Sequence, residues 1–494
     1  EMTYFPLHDE SSNFYADAED MNNCTVAKLD GSEGDWMMYE PFYWSKGIND
    51  YLNNKKYACY SSYPEDEMPP VPEATVLTLD TIKETQGGWL GERKIMSGKP
   101  TLMESYTTDK AYSVCKVDVS GYRRVRFPSV PGTGLIGSVF VDDAGNILKS
   151  IVVPTIGLKF EAGMYLIADV PERATALHFS ILNTAEFDCV VLSHSGKIED
   201  MEPDWVANEE HLCAVVGSSE VGSKLRSCIT GGSTAGGMSW TDFHFYSQQR
   251  GMQQIDALMH SRIANLFFAR YGRRNSQEEC GAGYHSHMRT TGGTAEHGME
   301  DTIGYDAAHA IDPNVTNAMV EDLVHQYAWY RSRDEYGQES VTRVNNICCL
   351  GYEDIYGHKY DMMDGVDVPN DSGNVGKWRI WMPDGTVRMV PGKGSSGQWT
   401  AGVAHGRYMD VVPVGTLSGS SSTYYGDVYW FSGAALRVVY RGYDYAYAYG
   451  GVSNANARND ASNAIAYVGS RLAFRGKIVR AQSVAAYKAI REVA

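Results

Sequence analysis

Residues 443–467 read YDYAYAYGGVSNANARNDASNAIAY, and within them one pattern occurs three times. A variable residue alternates with alanine in Tyr445-Ala446-Tyr447-Ala448-Tyr449, in Asn454-Ala455-Asn456-Ala457-Arg458 and in Asn463-Ala464-Ile465-Ala466-Tyr467. In extended backbone successive side chains point to opposite faces. Each copy then shows three larger side chains on one side and alanine on the other, so the alanine side can lie close against a scaffold. Tyr, Asn, Arg and Ile share no chemistry, so these positions share a location rather than a reaction. The competing reading is a low-complexity connecting loop. Against it, the stretch is bracketed by ordered-looking sequence at 428–431 and 468–476, and loops held by a rigid scaffold are where recognition usually sits. The alternation predicts packed alanines at Ala446, Ala448, Ala455, Ala457, Ala464 and Ala466, with Trp430, Phe431, Leu472 and Phe474 in the core.

Upstream, Met252, Ile255, Leu258, Met259, Ile263, Leu266 and Phe267 recur at helical spacing, with Gly272 placed to end the helix. Asp312-Pro313 opens a second helical pattern carrying Met319, Leu323, Tyr327 and Tyr330, and an alanine-rich pattern covers 483–494. Between these, stretches rich in glycine and serine at 392–397 and 415–425 predict long surface loops. Earlier in the chain the texture is period-two alternation, predicting strands near 114–119, 125–127, 138–141, 147–153, 164–168, 176–182 and 187–192, with a turn at Asp143-Ala144-Gly145-Asn146. Many short strands with almost no helical pattern indicate a β-sandwich. Residues 64–75, PEDEMPPVPEAT, hold four prolines and four acids and read as a junction.

The 494 residues suggest two or three domains. No apolar run approaches the roughly 18 residues of a spanning helix. The opening Glu1-Met2-Thr3-Tyr4 is not a signal peptide and suggests a piece of a longer chain. Asp and Glu outnumber Lys and Arg by 61 to 43, a net charge of -18 with no basic cluster, which argues against nucleic-acid binding. Thirty-three tyrosines and fifty glycines lean towards a loop-rich binding protein, since tyrosine offers a rigid apolar body with a polar tip. The nine cysteines contain no C-x-x-C pair, and they read as small buried hydrophobes made in a reducing cytoplasm.

The segment from Trp430 to Gly476, ending in GSRLAFRG, resembles the variable region of target proteins of diversity-generating retroelements. In that family a template repeat rich in Asn codons is copied with errors at adenines. Restoring Asn at Tyr443, Asp444, Tyr445, Tyr447, Tyr449, Arg458, Ile465 and Tyr467 gives a run of Asn/Ala repeats, and each substitution is reachable from an Asn codon by changing adenines only. Leu350-Gly351-Tyr352-Glu353-Asp354-Ile355-Tyr356-Gly357 followed by Asp364-Gly365-Val366 resembles a core segment of the formylglycine-generating-enzyme type of C-type lectin fold, with His358 where that pattern prefers Asn. Gly34-Asp35-Trp36-Met37-Met38 with Phe42-Tyr43-Trp44, and Asn275-Ser276-Gln277, are similar to segments of tail-fibre proteins carrying that fold.

The resemblance implies an α+β chain of three parts. A C-type lectin fold begins in residues 1–75 and resumes at 199–494, an all-β sandwich is inserted at 76–198, and the variable region covers about 430–476. It further implies a non-enzymatic receptor-binding protein, or adhesin, at the tip of a phage tail fibre. Such a protein acts in the virion, with the bacterial cell surface as the alternative location. Its ligand is a protein or glycan of a bacterial surface, and its other partners are copies of itself, as a homo-oligomer such as a homotrimer, and upstream fibre or tail components. The side chains expected to face the ligand are Tyr443, Asp444, Tyr445, Tyr447, Tyr449, Asn454, Asn456, Arg458, Asn459, Asn463, Ile465 and Tyr467. No cofactor is implied.

Two other readings compete: a structural fibre module, and an oxidase of the sulfatase-modifying type on the same fold. That oxidase uses a copper-binding cysteine pair near the C-terminus, whereas this chain has no cysteine after Cys349. Adjacent Cys348 and Cys349 are poorly disposed to converge on one metal. His285, His287 and His297 with Glu296, Glu300 and Asp301 have metal-ligand chemistry, but solvated loop histidines are the favoured reading. The acidic stretch 361–371 offers a cation oxygen ligands. No phosphate-binding loop or catalytic triad signature is present.

Overall fold

The computed structural model describes residues 3–7, 35–50, 52–53, 55–86, 91–93, 101–103, 112–128, 138–151, 165–182, 189–227, 234–282, 328–333, 339–344, 348–350, 352–392, 397–414, 419–443 and 449–478. Strand dominates, at 44% against 12% helix. The chain forms two compact units, Tyr43–Ala207 and a second assembled from Glu1–Phe42 with Asn208–Ala494.

In the 43–207 unit, Ala74–Thr78, Arg124–Pro128, Tyr165–Asp169 and Cys189–Ser193 form one antiparallel sheet. Lys83–Gln86, Tyr112–Asp118, Ser138–Val141, Ile147–Ile151 and Ala176–Leu182 form the other. The alternation of these strands sends Cys115, Val117, Phe140, Leu177 and Phe179 of one sheet and Val125, Phe127, Leu166 and Leu192 of the other into one shared core. The turn at 142–146 is held by Asp142, whose Oδ1 accepts the Ala144 and Asn146 N–H groups. The unit begins at Tyr43, well before residue 76. The hairpin Tyr43–Asp50 with Lys55–Ser61 belongs to it, and Ile48 packs with Ile167, Val191 and Met201. Lys46 Nζ donates to the Glu199 and Glu202 carbonyls, fixing the hairpin to the end of the sandwich. The proline-rich stretch 64–75 therefore joins two strands inside this unit.

The other unit is built on Asp35–Glu40 (β1), His211–Ala214 (β2), Ala257–Tyr271 (α1), Tyr360–Val368 (β3), Val428–Phe431 (β4), Arg437–Gly442 (β5), Gly451–Ala457 (β6) and Leu472–Arg475 (β7). Helix α1 starts after Met252 and Ile255 because Asp256 caps it, accepting the Leu258 and Met259 N–H groups. It stops at Gly272, which takes the left-handed conformation at φ 62°. Tyr330, expected on a helix, lies in the strand Ala328–Arg333, paired with Glu339–Val344. The rest of that second helical pattern, and the pattern at 483–494, lie outside the described residues.

Strands β3, β5, β6 and β4 are neighbours in an eight-stranded sheet, with β6 parallel to β4 and antiparallel to β5. One face covers α1: Tyr429, Phe431, Ala455, Ala457 and Val439 share a core with Met259, Ile263 and Phe267. A smaller sheet places β7 beside β2, which pairs β1.

The GSRLAFRG tail joins these sheets. Arg471, 1% exposed, donates from Nε to Asp361 Oδ2 at 2.6 Å and from Nη1 to the Val215 carbonyl at 2.7 Å. Arg475 grips Asp256, the α1 cap, through two bonds of 2.7 and 3.1 Å. Leu472 is buried, and Phe474 is half-buried against the same cluster. Parts of the segments that carry the fold resemblance, without Tyr43 and Trp44, meet in this unit. Tyr352 Oη donates to Glu40, Tyr356 Oη donates to the Ser276 carbonyl, and Ser276 Oγ accepts the Val452 N–H. Among the described residues no helix is long and apolar enough to cross a membrane.

Candidate binding pocket

The register of the large sheet places Trp430, Asn456 and Tyr440 side by side across β4, β6 and β5, because Trp430 pairs Asn456 and Asn456 pairs Tyr440. Their side chains share the face opposite α1. Together with Tyr360 at the start of β3 they floor a cavity of about 280 Å³. Its remaining wall is Tyr443, Arg458, Asn459, Ile465 and Tyr467. Six of the twelve positions read from the sequence as ligand-facing, Tyr443, Asn456, Arg458, Asn459, Ile465 and Tyr467, thus converge on one concavity.

Aromatic rings dominate it. Trp430 and Tyr443 are offset-parallel with centroids 5.3 Å apart, and Tyr360 meets Tyr443 edge-on at 5.6 Å and Tyr440 at 5.8 Å. Tyr449, 40% exposed, stands edge-on to Trp399 and Tyr443 and extends the cluster outward. The polar groups are tied to the rings: Asn456 Nδ2 donates to Tyr360 Oη and Asn463 Nδ2 to Tyr440 Oη. Burial pushes the Tyr440 phenol up from its ordinary value, keeping it a neutral hydroxyl at physiological pH.

Both rims hang on β3 and the residues before it. The Gly357 N–H donates to the Tyr443 carbonyl, and the Tyr360 N–H to the Tyr467 carbonyl. Val468-Gly469 then runs parallel to Tyr360-Asp361. At the exit of β5, Gly442 adopts φ 89°, and a Cβ there would stand 2.9 Å from the Ile355 carbonyl oxygen. Glycine is required where the chain leaves β5 for Tyr443.

Four expectations need correction. Asn454 is fully buried, and its Nδ2 donates to the Val428 and Tyr449 carbonyls, so it ties Tyr449 to β4 instead of meeting a ligand. Trp430 is half-exposed in the pocket, because β4 alternates and sends Phe431 to the core instead. Ala464 is exposed and Ala466 half-buried, whereas Ala455 and Ala457 are fully buried. The second copy of the repeat runs in β6 as far as Ala457, whereas the third, 463–467, forms no strand. Asp460 Oδ1 accepts the Ser462 N–H and hydroxyl, and this turn ends the alternation before the third copy. Asp444, Tyr445, Tyr447, Ala446 and Ala448 lie outside the described residues, as do His285, His287 and His297.

A second, water-sized cavity of about 10 Å³ is lined by residues that include Asp354, His358, Lys359 and Arg471. Lys359 Nζ donates to the Thr234 and Ala235 carbonyls at 2.7 and 3.2 Å, and Gly237 in turn donates its N–H to the Ile465 carbonyl of the pocket wall. Burial pushes the Lys359 ammonium down to about 7. An unfolded lysine titrates near roughly 10.4, so above pH 7 the unfolded chain binds more protons than the folded one at this site and stability rises with pH. The contribution is absent below about 7. From pH 7 to about 8 the melting temperature of the parent should therefore rise relative to that of Lys359→Met, the thiol and phenol titrations being common to both. Parallel slopes for the two proteins would contradict this account of Lys359.

The acids of 361–371 already face basic side chains: Asp361 pairs Arg471, Asp364 lies 3.1 Å from His244, and Asp367 and Asp371 flank Arg379. Among the described residues no three His, Cys, Asp or Glu side chains converge as a metal site. No protein-family model matches the chain, and no curated protein matches it.

Proposed function

We propose that the chain is a hypervariable receptor-binding protein of the C-type lectin fold, in its formylglycine-generating-enzyme form, whose 443–467 segment is diversified by a retroelement. The observation that carries this reading is the convergence of Tyr443, Asn456, Arg458, Asn459, Ile465 and Tyr467 on one aromatic pocket, while Ala455 and Ala457 between them are buried in the core. A segment built to vary must separate display from packing, and the end of β6 does so, with Asn456 in the pocket between buried Ala455 and Ala457. Tyrosines supply contact area at low entropic cost, and Asn and Arg supply adaptable hydrogen bonds. In this reading the protein sits at a phage tail-fibre tip, or alternatively on a bacterial surface, and grips a bacterial surface ligand. Assembly as a homotrimer would convert weak single-site contacts into avidity.

The test is adsorption of the labelled full chain to a panel of bacterial strains. Arg458→Ser and Tyr467→Asn should each abolish adsorption to the strain the parent binds, with melting close to that of the parent. Undiminished adsorption by both variants would overturn the reading.

A further inference from the structure

We propose that the pocket takes a pyranose bearing a carboxylate, the sugar ring lying against the half-exposed rings of Trp430 and Tyr467 and the carboxylate on Arg458. This rests on the receptor-binding reading and adds the ligand class. Three floor residues, Tyr360, Trp430 and Tyr440, lie outside the 443–467 stretch, so part of the pocket's chemistry persists whatever that stretch displays.

An aromatic face is electrostatically negative, and the C–H face of a pyranose is weakly positive and flat enough to cover it. The rim is polar. Asn456 and Asn459 each carry a planar carboxamide that can both donate and accept, matching the vicinal hydroxyls of a sugar edge. A purely apolar side chain would desolvate those groups without replacing their bonds, which disfavours it.

Charge narrows the class further. Arg458 is the only charged residue among the described lining residues, it is exposed, and its guanidinium makes no ion pair among the described residues. A guanidinium is a planar fork of donors suited to a carboxylate. It also opposes a quaternary ammonium, which the aromatic rings alone would accept. The net charge of -18 does not prevent anion binding, because charges beyond roughly 8 Å are screened at physiological ionic strength. A cavity of about 280 Å³ is at the small end for ligand sites and suits one ring with its substituents.

The experiment is titration of the full chain with methyl glucuronide and, separately, methyl glucoside, followed by calorimetry or ligand-observed NMR. The acid should bind with a Kd on the order of 1 mM, as expected for one small ring, and the glucoside about tenfold more weakly. Arg458→Gln should make the two sugars equal, Trp430→Ala should remove both, and exposed Lys224→Gln should change neither. If Trp430→Ala does not melt cooperatively, Tyr467→Asn is the second pocket variant. Equal binding of the two sugars by the parent, or an unchanged preference in Arg458→Gln, would overturn the carboxylate assignment. Absence of sugar binding while Arg458→Ser and Tyr467→Asn still abolish cell adsorption would overturn the ligand class and leave the receptor-binding reading standing. Absence of both effects would overturn the two together.

Discussion

Asp361→Ala is expected to destabilise the unit formed by 1–42 and 208–494 by about 3–5 kcal/mol, the range for removing one partner of a buried ion pair. Arg471 is 1% exposed and also donates to the Ala214 and Val215 carbonyls, so removing the carboxylate takes its 2.6 Å ion-pair partner from a guanidinium buried in the core. The pair also ties β3 to the residue just before β7, which lies in the smaller sheet. The double variant Asp361→Ala, Arg471→Met should recover part of the loss, because the stranded cation is gone. Denaturant titration measures both. A loss below about 1 kcal/mol for the single variant would place the pair among solvent-screened contacts and contradict the burial seen here.

Ala457→Phe should cost roughly 1–3 kcal/mol by overpacking. Ala457 is fully buried against the cluster that holds Met259, Ile263 and Phe267, and it pairs Phe431, whose ring lies edge-on to Trp378 at 4.9 Å. Tyr467→Asn, ten residues on and half-exposed at the pocket, should cost far less while removing binding. Thermal melts of the two variants side by side give the comparison. Equal shifts would mean that display and packing are not separated along this segment.

The features legible in the sequence were those written in local periodicity. The sandwich strands, the long helix with its Gly272 end, and the burial of Ala455 and Ala457 follow from side-chain alternation and capping chemistry over a few residues. The pocket rim was legible for the same reason, since it comes from one continuous stretch. The floor was not. Tyr360 and Tyr440 are 80 residues apart, and only the antiparallel pairing of β3 with β5 brings them together. Their signal in the sequence is no stronger than that of any other tyrosine among thirty-three. Asn454 was misplaced because period two assigns a face but not what covers it, and here backbone carbonyls at 428 and 449 cover that side. The third alanine copy failed where Asp460 supplied a turn stronger than the alternation. The start of the inserted unit was missed because proline-rich composition marks a bend in the chain, while unit membership is set by contacts such as those of Lys46 with Glu199 and Glu202.

The central claim is that this surface is built to vary, and sequencing the DNA that flanks the gene tests it most directly. The account predicts a near-identical, non-coding copy of the stretch encoding residues 443–467, differing almost only where that copy has adenine, with a reverse transcriptase gene beside it. The copy should begin near Trp430 and stop within 469–476, because Arg471 and Arg475 hold the core together whichever residues the pocket displays. Flanking DNA with no such repeat, and codon differences among sibling genes scattered without regard to adenine, would contradict it.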